Sequence, residues 1–528
     1  MKGVSVSATI GSKGTGGGFM KKRLLLGLDV GTSAAKCIIM DEEGQVLCSS
    51  VQEYPLYTPQ PGWAEQNPED WWQAVLRGLR EILPKIPKEN LIAGSFSGQM
   101  HGLVALDQKG EVIRPAFLWC DQRTDRECQR ITELAGGLSG LLSYTNNRML
   151  TGYTGGKILW LRDNEPENFA RMKVFVCPKD YIRFRLTKSA AMDVSEASGT
   201  GFFNTRERRW SEELIRIAGL PREIFPETHE SIEFAGGVTK EAAELTGLPE
   251  GLPLYFGGGD AVIQTTGSGL LRPGIIGAVI GTAGNVSMAL DRFYDNPNGA
   301  LQMFCNNEPG LWHAFGCNLT AGGAYRWYRD ALSEHSVLEA QRSGRNVYDI
   351  MGEEAAQSVP GAHGVVFNAY LTGERCPYPD PNARASFYGL SLQTTRADIT
   401  RSVMEGVVYS MKQIVDIMCA FSPGEKVIAS GGGSVSPLWR QMMADIFDLP
   451  VLTVSGASEG GAYGAAMAAG VGAGVYKNLA EACQVIRVET ETDPIPGNQA
   501  AYQDTFEIFS QIYPALKPVY DLSASRGY

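Results

Sequence analysis

The chain has 528 residues, 44% hydrophobic and 20% charged, with a formal net charge of −11. That length exceeds one ordinary core and implies two or more domains, in a composition typical of soluble globular proteins. The acidic balance excludes a nucleic-acid binder or a protein of anionic membrane surfaces, though not a nucleotide substrate.

Residues 1–22 carry no charged segment followed by an apolar run. They read as a leader extension or cloning scar outside the fold, with Met20 a second start-like methionine. The fold opens with "LLLGLDVGTSAAKCIIMDEEGQVLCSS", which reads as three strands separated by tight turns, the first turn following Asp29. "PEDWWQAVLRGLREIL" (68–83) follows as a helix. Pro68 lies near its start, acids fill its first turn, and Trp72, Val75, Leu79 and Leu83 share one face. "LIAGSFSG" (91–98) is a buried strand, so strands alternate with helices in an α/β chain.

Further along, Pro253–Phe256 is strand-like and runs into "GGGDAVIQ" (257–264). Taken alone, Gly-Gly-Gly-Asp is a surface turn; its functional reading puts Asp260 on the floor of a cleft. The second half repeats the opening design. "IIGAVIGTAGNVSMAL" (275–290) is again strand, Gly-Thr turn, strand. "KVIASGGGSVSPLWRQMMADIF" (426–447) is strand, glycine turn and helix, with Ser436 as N-cap and Pro437 at the first helical position. Two lobes of one design around a shared cleft are expected, divided near residues 270–274. The apolar run 462–476 is too short and glycine-rich to span a bilayer. Ten scattered cysteines, none in a Cys-x-x-Cys pair, suit a reduced cytoplasmic chain without structural zinc.

"GTSAAK" (31–36) lacks the second glycine of a Walker loop, and no Gly-x-Gly-x-x-Gly follows a strand. Phosphate binding must therefore come from hairpin turns, whose amides form anion nests. "DVGTS" (29–33) offers an acid for Mg²⁺, a glycine for close approach and two hydroxyls; "GTAGN" (281–285) and "GGGS" (431–434) offer similar surfaces. Each alone is an ordinary turn; three of them together with Asp260 make a site.

These motifs resemble the FGGY carbohydrate kinases. "GYTGGKILWLRDN" (152–164) fits the family's first signature and "GLSLQTTRADITRSVMEG" (389–406) its second, with the glycine turns in family order across roughly residues 23–515. The resemblance implies an actin-like (ribonuclease H-like) ATPase fold. A sugar-binding lobe over 23–270 and an ATP-binding lobe over 271–515 would flank the cleft, with 516–528 a tail. It implies transfer of phosphate from ATP, with Mg²⁺, to a small sugar, with a homodimer as the expected assembly. "SGQMHG" (97–102) and "YTPQPGWAEQNPEDWW" (57–72) resemble the xylulokinase branch, which implies D-xylulose as acceptor; ribulose, gluconate and glycerol are the alternatives, and a sugar-sensing ATPase a remoter one.

The implied roles are as follows. Asp260 accepts the sugar hydroxyl's proton, and its glycines let the strand end lie flush against the sugar. Met100, His101 and Arg123 contact the sugar, although Cys120 departs from the usual wording beside Arg123. Asp29 serves Mg²⁺. Thr32, Ser33, Gly281 and Thr282 hold phosphates, and Gly432 and Ser434 lie beside the adenosine. Lys157, Trp160 and Glu405 belong to the signatures but read as packing, capping or domain-contact groups, outside the site.

Overall fold

A computed structural model describes residues 22–527. The expectation for the leader lies outside the described residues except at Lys22, whose ammonium pairs with Asp41 at 2.6 Å and Glu43 at 2.8 Å.

The first half builds a seven-stranded sheet from β1 (Leu24–Val30), β2 (Ala34–Asp41), β3 (Val46–Glu53), β4 (Leu91–Gly98), β5 (Phe234–Gly237), β6 (Pro253–Tyr255) and β7 (Gly258–Gly259). Its order is β5-β6-β4-β1-β2-β3, with β7 also on β4. The second half builds another from β8 (Ile275–Ile280), β9 (Gly284–Leu290), β10 (Gln302–Cys305), β11 (Trp312–Asn318), β12 (Lys426–Ser430), β13 (Val451–Val454) and β14 (Val488–Thr492), in the order β10-β11-β9-β8-β12-β13-β14. In both, a central strand has an antiparallel hairpin partner on one side and parallel strands on the other: β1 with β2 and β4, β8 with β9 and β12. This is the duplicated two-lobe α/β design of the actin-like ATPases.

Local chemistry explains the elements. Helix α1 (Pro68–Ile82) starts where the Asn67 side chain accepts the Glu69 amide at 3.1 Å, with Pro68 at the first position. Trp71 is buried as well as the expected Trp72 face, because α1 packs both on the sheet and against the helix Pro178–Thr187, where Tyr181 meets the Trp71 ring and Arg185 covers Trp72. Ser436 caps Pro437–Phe447 through the Trp439 amide, as expected. Glu405 is buried against Arg401 at 2.6 Å, inside the second lobe's core.

Residues 516–525 are not a loose tail. They complete a 27-residue helix, Gln499–Ser525, whose Tyr520 is buried and donates its hydroxyl to the Arg384 carbonyl at 2.9 Å. Pro514 and Pro518, residues that ordinarily break a helix, stand inside it; tertiary packing overrides that local preference.

One second-half helix crosses over. Gly461–Gly472 lies on β1 and β4, and a Cβ on Gly27 would stand 2.0 Å from the Ala462 carbonyl oxygen. Only a bare backbone permits that approach. Gly27→Ala is therefore expected to cost about 1–3 kcal/mol by overpacking, or a drop of roughly 2–6 °C in the thermal midpoint of a lobe this size; an unchanged midpoint would show that the helix shifts freely.

Candidate active site

The ends of three parallel strands bring the first cluster together. Val30 pairs with Gly98, and Gly98 with Gly259, so the segments leaving β1, β4 and β7 share one sheet edge. Open α/β sheets bind ligands beyond such carboxyl ends. Asp29, Met100, His101 and Asp260 are thereby gathered from three distant stretches of chain.

Asp29 is half-buried, and its Oδ1 accepts the Ser97 hydroxyl at 2.7 Å. Burial raises its carboxyl, while Ser97 and then Lys36, its cross-strand partner on β2, act against the rise. Asp260 is the first residue of helix Asp260–Thr266. Its carboxylate accepts the Ala261 amide at 2.7 Å and the Met100 amide. Burial first, and the neighbouring Asp29 charge second, push the Asp260 carboxyl up to about 7 despite these donors. Two neighbouring carboxylates form a hard-oxygen pair that fits Mg²⁺, a cation that uses few protein ligands.

His101 is held from several sides. Its φ of 68° is left-handed, a costly conformation for a side chain larger than glycine. Glu196 Oε1 accepts its amide at 3.1 Å, and Lys157 Nζ donates to its carbonyl at 2.7 Å. The ring sits 4.6 Å from that of Tyr153. Its Nδ1 lies 2.6 Å from the Gly199 carbonyl, which can only accept, so Nδ1 carries the proton and the Nε2 lone pair can receive a hydroxyl. Burial, with Lys157 next in importance, pushes the imidazole down to about 3.

The phosphate-turn candidates occupy two places. Thr32 Oγ1 accepts the Trp119 indole N–H at 2.9 Å, which leaves its own proton to donate, and Ser33 is exposed. On the other sheet, Gly281 and Thr282 follow β8, and their carbonyls accept the Gly322 and Gly323 amides at 2.8 and 3.0 Å, at the start of helix Gly322–Leu332. Gly431–Ser434 follows β12 beside them. Gly431 has φ 81°, and a Cβ there would strike the Ile280 carbonyl at 2.7 Å; a Cβ on exposed Gly432 would meet nothing within 4 Å. Ser434 donates its hydroxyl to the Gly431 carbonyl at 2.8 Å. Among the described residues no hydrogen bond or ion pair joins this group to the first cluster.

Three expectations change. The glycines before Asp260 serve the protein's own packing: Cβ atoms on Gly257, Gly258 and Gly259 would lie 1.9 Å from the Phe96 carbonyl, 2.0 Å from Asn307 Nδ2 and 2.5 Å from Met100 Cγ. The Met100 side chain is buried, only 3% exposed, and reaches Asp260 through its backbone amide. Arg123 is not an open sugar contact. It is 2% exposed on its side chain, paired with Asp121 at 2.6 Å and Glu65 at 2.7 Å, and stacked 3.5 Å over Trp63, so it braces the framework. Conversely, Lys157, fully buried, touches His101 directly. A lone lysine in the glycine-rich apolar helix "TGGKILWL" was the available signal. Ser97, at the head of "SGQMHG", also frames the site, as do Ser195, Glu196 and Gly199, which no such signal marks.

Two duplicated lobes, with paired acids at the strand ends of one and glycine turns at those of the other, define a phosphotransferase of the actin-like class. Residues 24–267 match the N-terminal domain of the FGGY family of carbohydrate kinases, and 278–473 its C-terminal domain. A xylulose kinase of Bacillus subtilis (strain 168) is 33% identical over 94% of this chain and 97% of its own length. A gluconokinase of the same organism is 29% identical over 94% and 96%. The crystal structure of xylulose kinase from Rhodospirillum rubrum superposes with TM-score 0.86 at 28% identity, covering 94% of this chain and all of that one. The chain belongs to the FGGY family and is a carbohydrate kinase that uses ATP.

The geometry at His101 gives a spectroscopic expectation. Nitrogen-15 spectra, assigned with His101→Ala, should show a neutral imidazole protonated on Nδ1 from pH 8 down to pH 5. A neutral ring protonated on Nε2 would contradict the Gly199 contact, and an imidazolium within that range would contradict the effect of burial on the ring.

Proposed function

We propose that the enzyme transfers the γ-phosphoryl group of ATP to the 5-hydroxyl of D-xylulose, giving D-xylulose 5-phosphate and ADP. The observation that carries the chemistry is the placement of Asp260 after β7, where its carboxyl accepts the Met100 and Ala261 amides and is pushed up to about 7 by burial and the Asp29 charge. The hydroxyl oxygen forms a bond to the γ-phosphorus as the bond to the β–γ bridging oxygen breaks, and the hydroxyl proton passes to Asp260. A base with a pKa near the working pH suits this task. The transition state is loose, so the remaining residues position and neutralise.

In this reading His101 Nε2 accepts a sugar hydroxyl, and Met100 fixes Asp260 through its amide. Thr32 and Ser33 donate to phosphate oxygens, Gly281 and Thr282 hold them from the other lobe, and Gly432 with Ser434 lies beside the adenosine. Asp29 would hold Mg²⁺, directly or through water, and the bound ion would offset phosphate charge. Residues 23–270, together with the helix Gly461–Gly472 packed on their sheet, serve as the sugar lobe, and the rest of 271–525 as the nucleotide lobe. The xylulose kinase relatives and the Met100–His101 motif support the ketopentose. A cytoplasmic setting agrees with ten free cysteines, and no described helix is long and apolar enough to cross a membrane.

Four measurements test this reading. Asp260→Ala should lower kcat by at least about 10²–10⁴-fold while ATP still binds by calorimetry; near-normal turnover would remove Asp260 from the chemistry. The carboxylate fraction of Asp260 rises as pH passes about 7, so kcat/KM should climb through that pH and level off above it. Asp29→Asn removes the neighbouring negative charge, so that limb should move to lower pH while the Mg²⁺ requirement rises. An unmoved limb would uncouple the two acids. Across D-xylulose, D-ribulose, gluconate and glycerol, D-xylulose should have the highest kcat/KM; a better alternative would reject the sugar and leave the kinase assignment standing.

A further inference from the structure

Behind the candidate sugar site lies a buried ion cluster that the proposed chemistry does not use. Lys179 Nζ bridges Asp180 at 2.7 Å and Asp193 at 2.5 Å, and Arg183 pairs with Asp180 at 2.5 Å, all with fully buried side chains. Two cations thus balance two carboxylates, and Glu196 is a fifth ionisable group among them, also fully buried. Cys177, Asp180 and Glu196 lie close enough together to suggest a metal centre, but the Lys179 ammonium already occupies the Asp180 carboxylate. The cluster instead supports the five-residue helix Val194–Ser198.

That helix faces both walls of the site. Asp193 caps it by accepting the Ser195 and Glu196 amides at 2.9 and 3.2 Å. Ser195 donates its hydroxyl to Asp193 and accepts the Gly259 amide at 3.1 Å, one residue before Asp260. Glu196 Oε1 accepts the amide of left-handed His101, and the Gly199 carbonyl at the helix end takes the imidazole Nδ1–H. The Glu196 carboxyl also meets the Cys177 thiol in a side-chain hydrogen bond. With two charge pairs already matched, burial raises the Glu196 carboxyl well above the usual carboxylate range, against the pull of Lys179. A neutral amide is then an adequate stand-in for it.

We infer that Glu196 is a positioning residue for the acceptor sugar: by accepting the His101 amide it holds that backbone in its left-handed turn and aims the imidazole at the substrate. The inference rests on His101 belonging to the sugar site. It is tested with Glu196→Met, which fills similar volume without an acceptor, Glu196→Gln, which keeps one, His101→Ala, and the His101→Ala/Glu196→Met double variant. The acceptor is whichever sugar the wild-type enzyme phosphorylates best, so a wrong sugar identity does not bear on the result. Glu196→Met should raise the sugar KM tenfold or more and leave the ATP KM within twofold, with Glu196→Gln within threefold of wild type on both. In the His101→Ala background, Glu196→Met should add less than twofold, because the contact it serves is gone. If Glu196→Met does not fold, Glu196→Gln decides: a tenfold rise in its sugar KM overturns the acceptor role. An unchanged sugar KM in Glu196→Met, or equal losses for sugar and ATP, overturns it too. An unchanged sugar KM in His101→Ala removes the sugar-site reading and this inference together.

Discussion

The site depends on placing two carboxylates, Asp29 and Asp260, near each other at the ends of the parallel strands β1, β4 and β7. Each is partly withdrawn from water, and each disfavours ionisation of the other. Backbone amides from Met100 and Ala261 and the Ser97 hydroxyl offset part of that penalty. What they leave is a carboxyl on Asp260 that exchanges its proton near neutrality, and a local demand for positive charge that a metal–nucleotide complex would meet. The parallel registers of β1, β4 and β7 create the juxtaposition, so the chemistry is inseparable from the strand order.

Close backbone packing makes that strand order possible. Gly257, Gly258 and Gly259 thread between Phe96, Asn307 and Met100 at distances no side chain permits. His101 pays the opposite cost, a left-handed backbone at a non-glycine residue. Such strain persists only where surrounding contacts over-determine the conformation, and here an amide, a carbonyl and a ring nitrogen are each engaged by a different residue.

Much of this was legible because it is local. Strand–turn–strand repeats, the cap at Ser436 and the acids behind glycine turns all lie within a few residues of their own signals. The supporting frame was not legible, because its contacts span 95 residues between His101 and Glu196 and 64 between Ser195 and Gly259. A short polar stretch such as "DVSEAS" (193–198) has no periodicity to mark it. Arg123 misled for the same reason: its cage is drawn from Glu65, Trp63, Phe117 and Trp160, and a sequence motif cannot tell an enclosed guanidinium from an offered one. The final helix hid behind its prolines, whose local preference yields to the burial of Tyr520.

The short helix Val194–Ser198 also ties the sugar side to the second lobe. Its Ser198 hydroxyl accepts the Cys305 amide at 3.1 Å on β10, and the Ser195 hydroxyl accepts Asn307 Nδ2 at 3.3 Å just beyond that strand. The same five residues therefore contact the residue before Asp260, the backbone of His101 and the edge of the nucleotide-side sheet. A displacement of that edge cannot leave the helix behind without breaking buried hydrogen bonds, each costly to leave unmade. The helix in turn cannot move without disturbing Gly259 and His101. Lobe orientation and the alignment of the acceptor site are thus one mechanical problem, solved at a helix too short to be stable alone and fixed by the buried ion cluster beneath it.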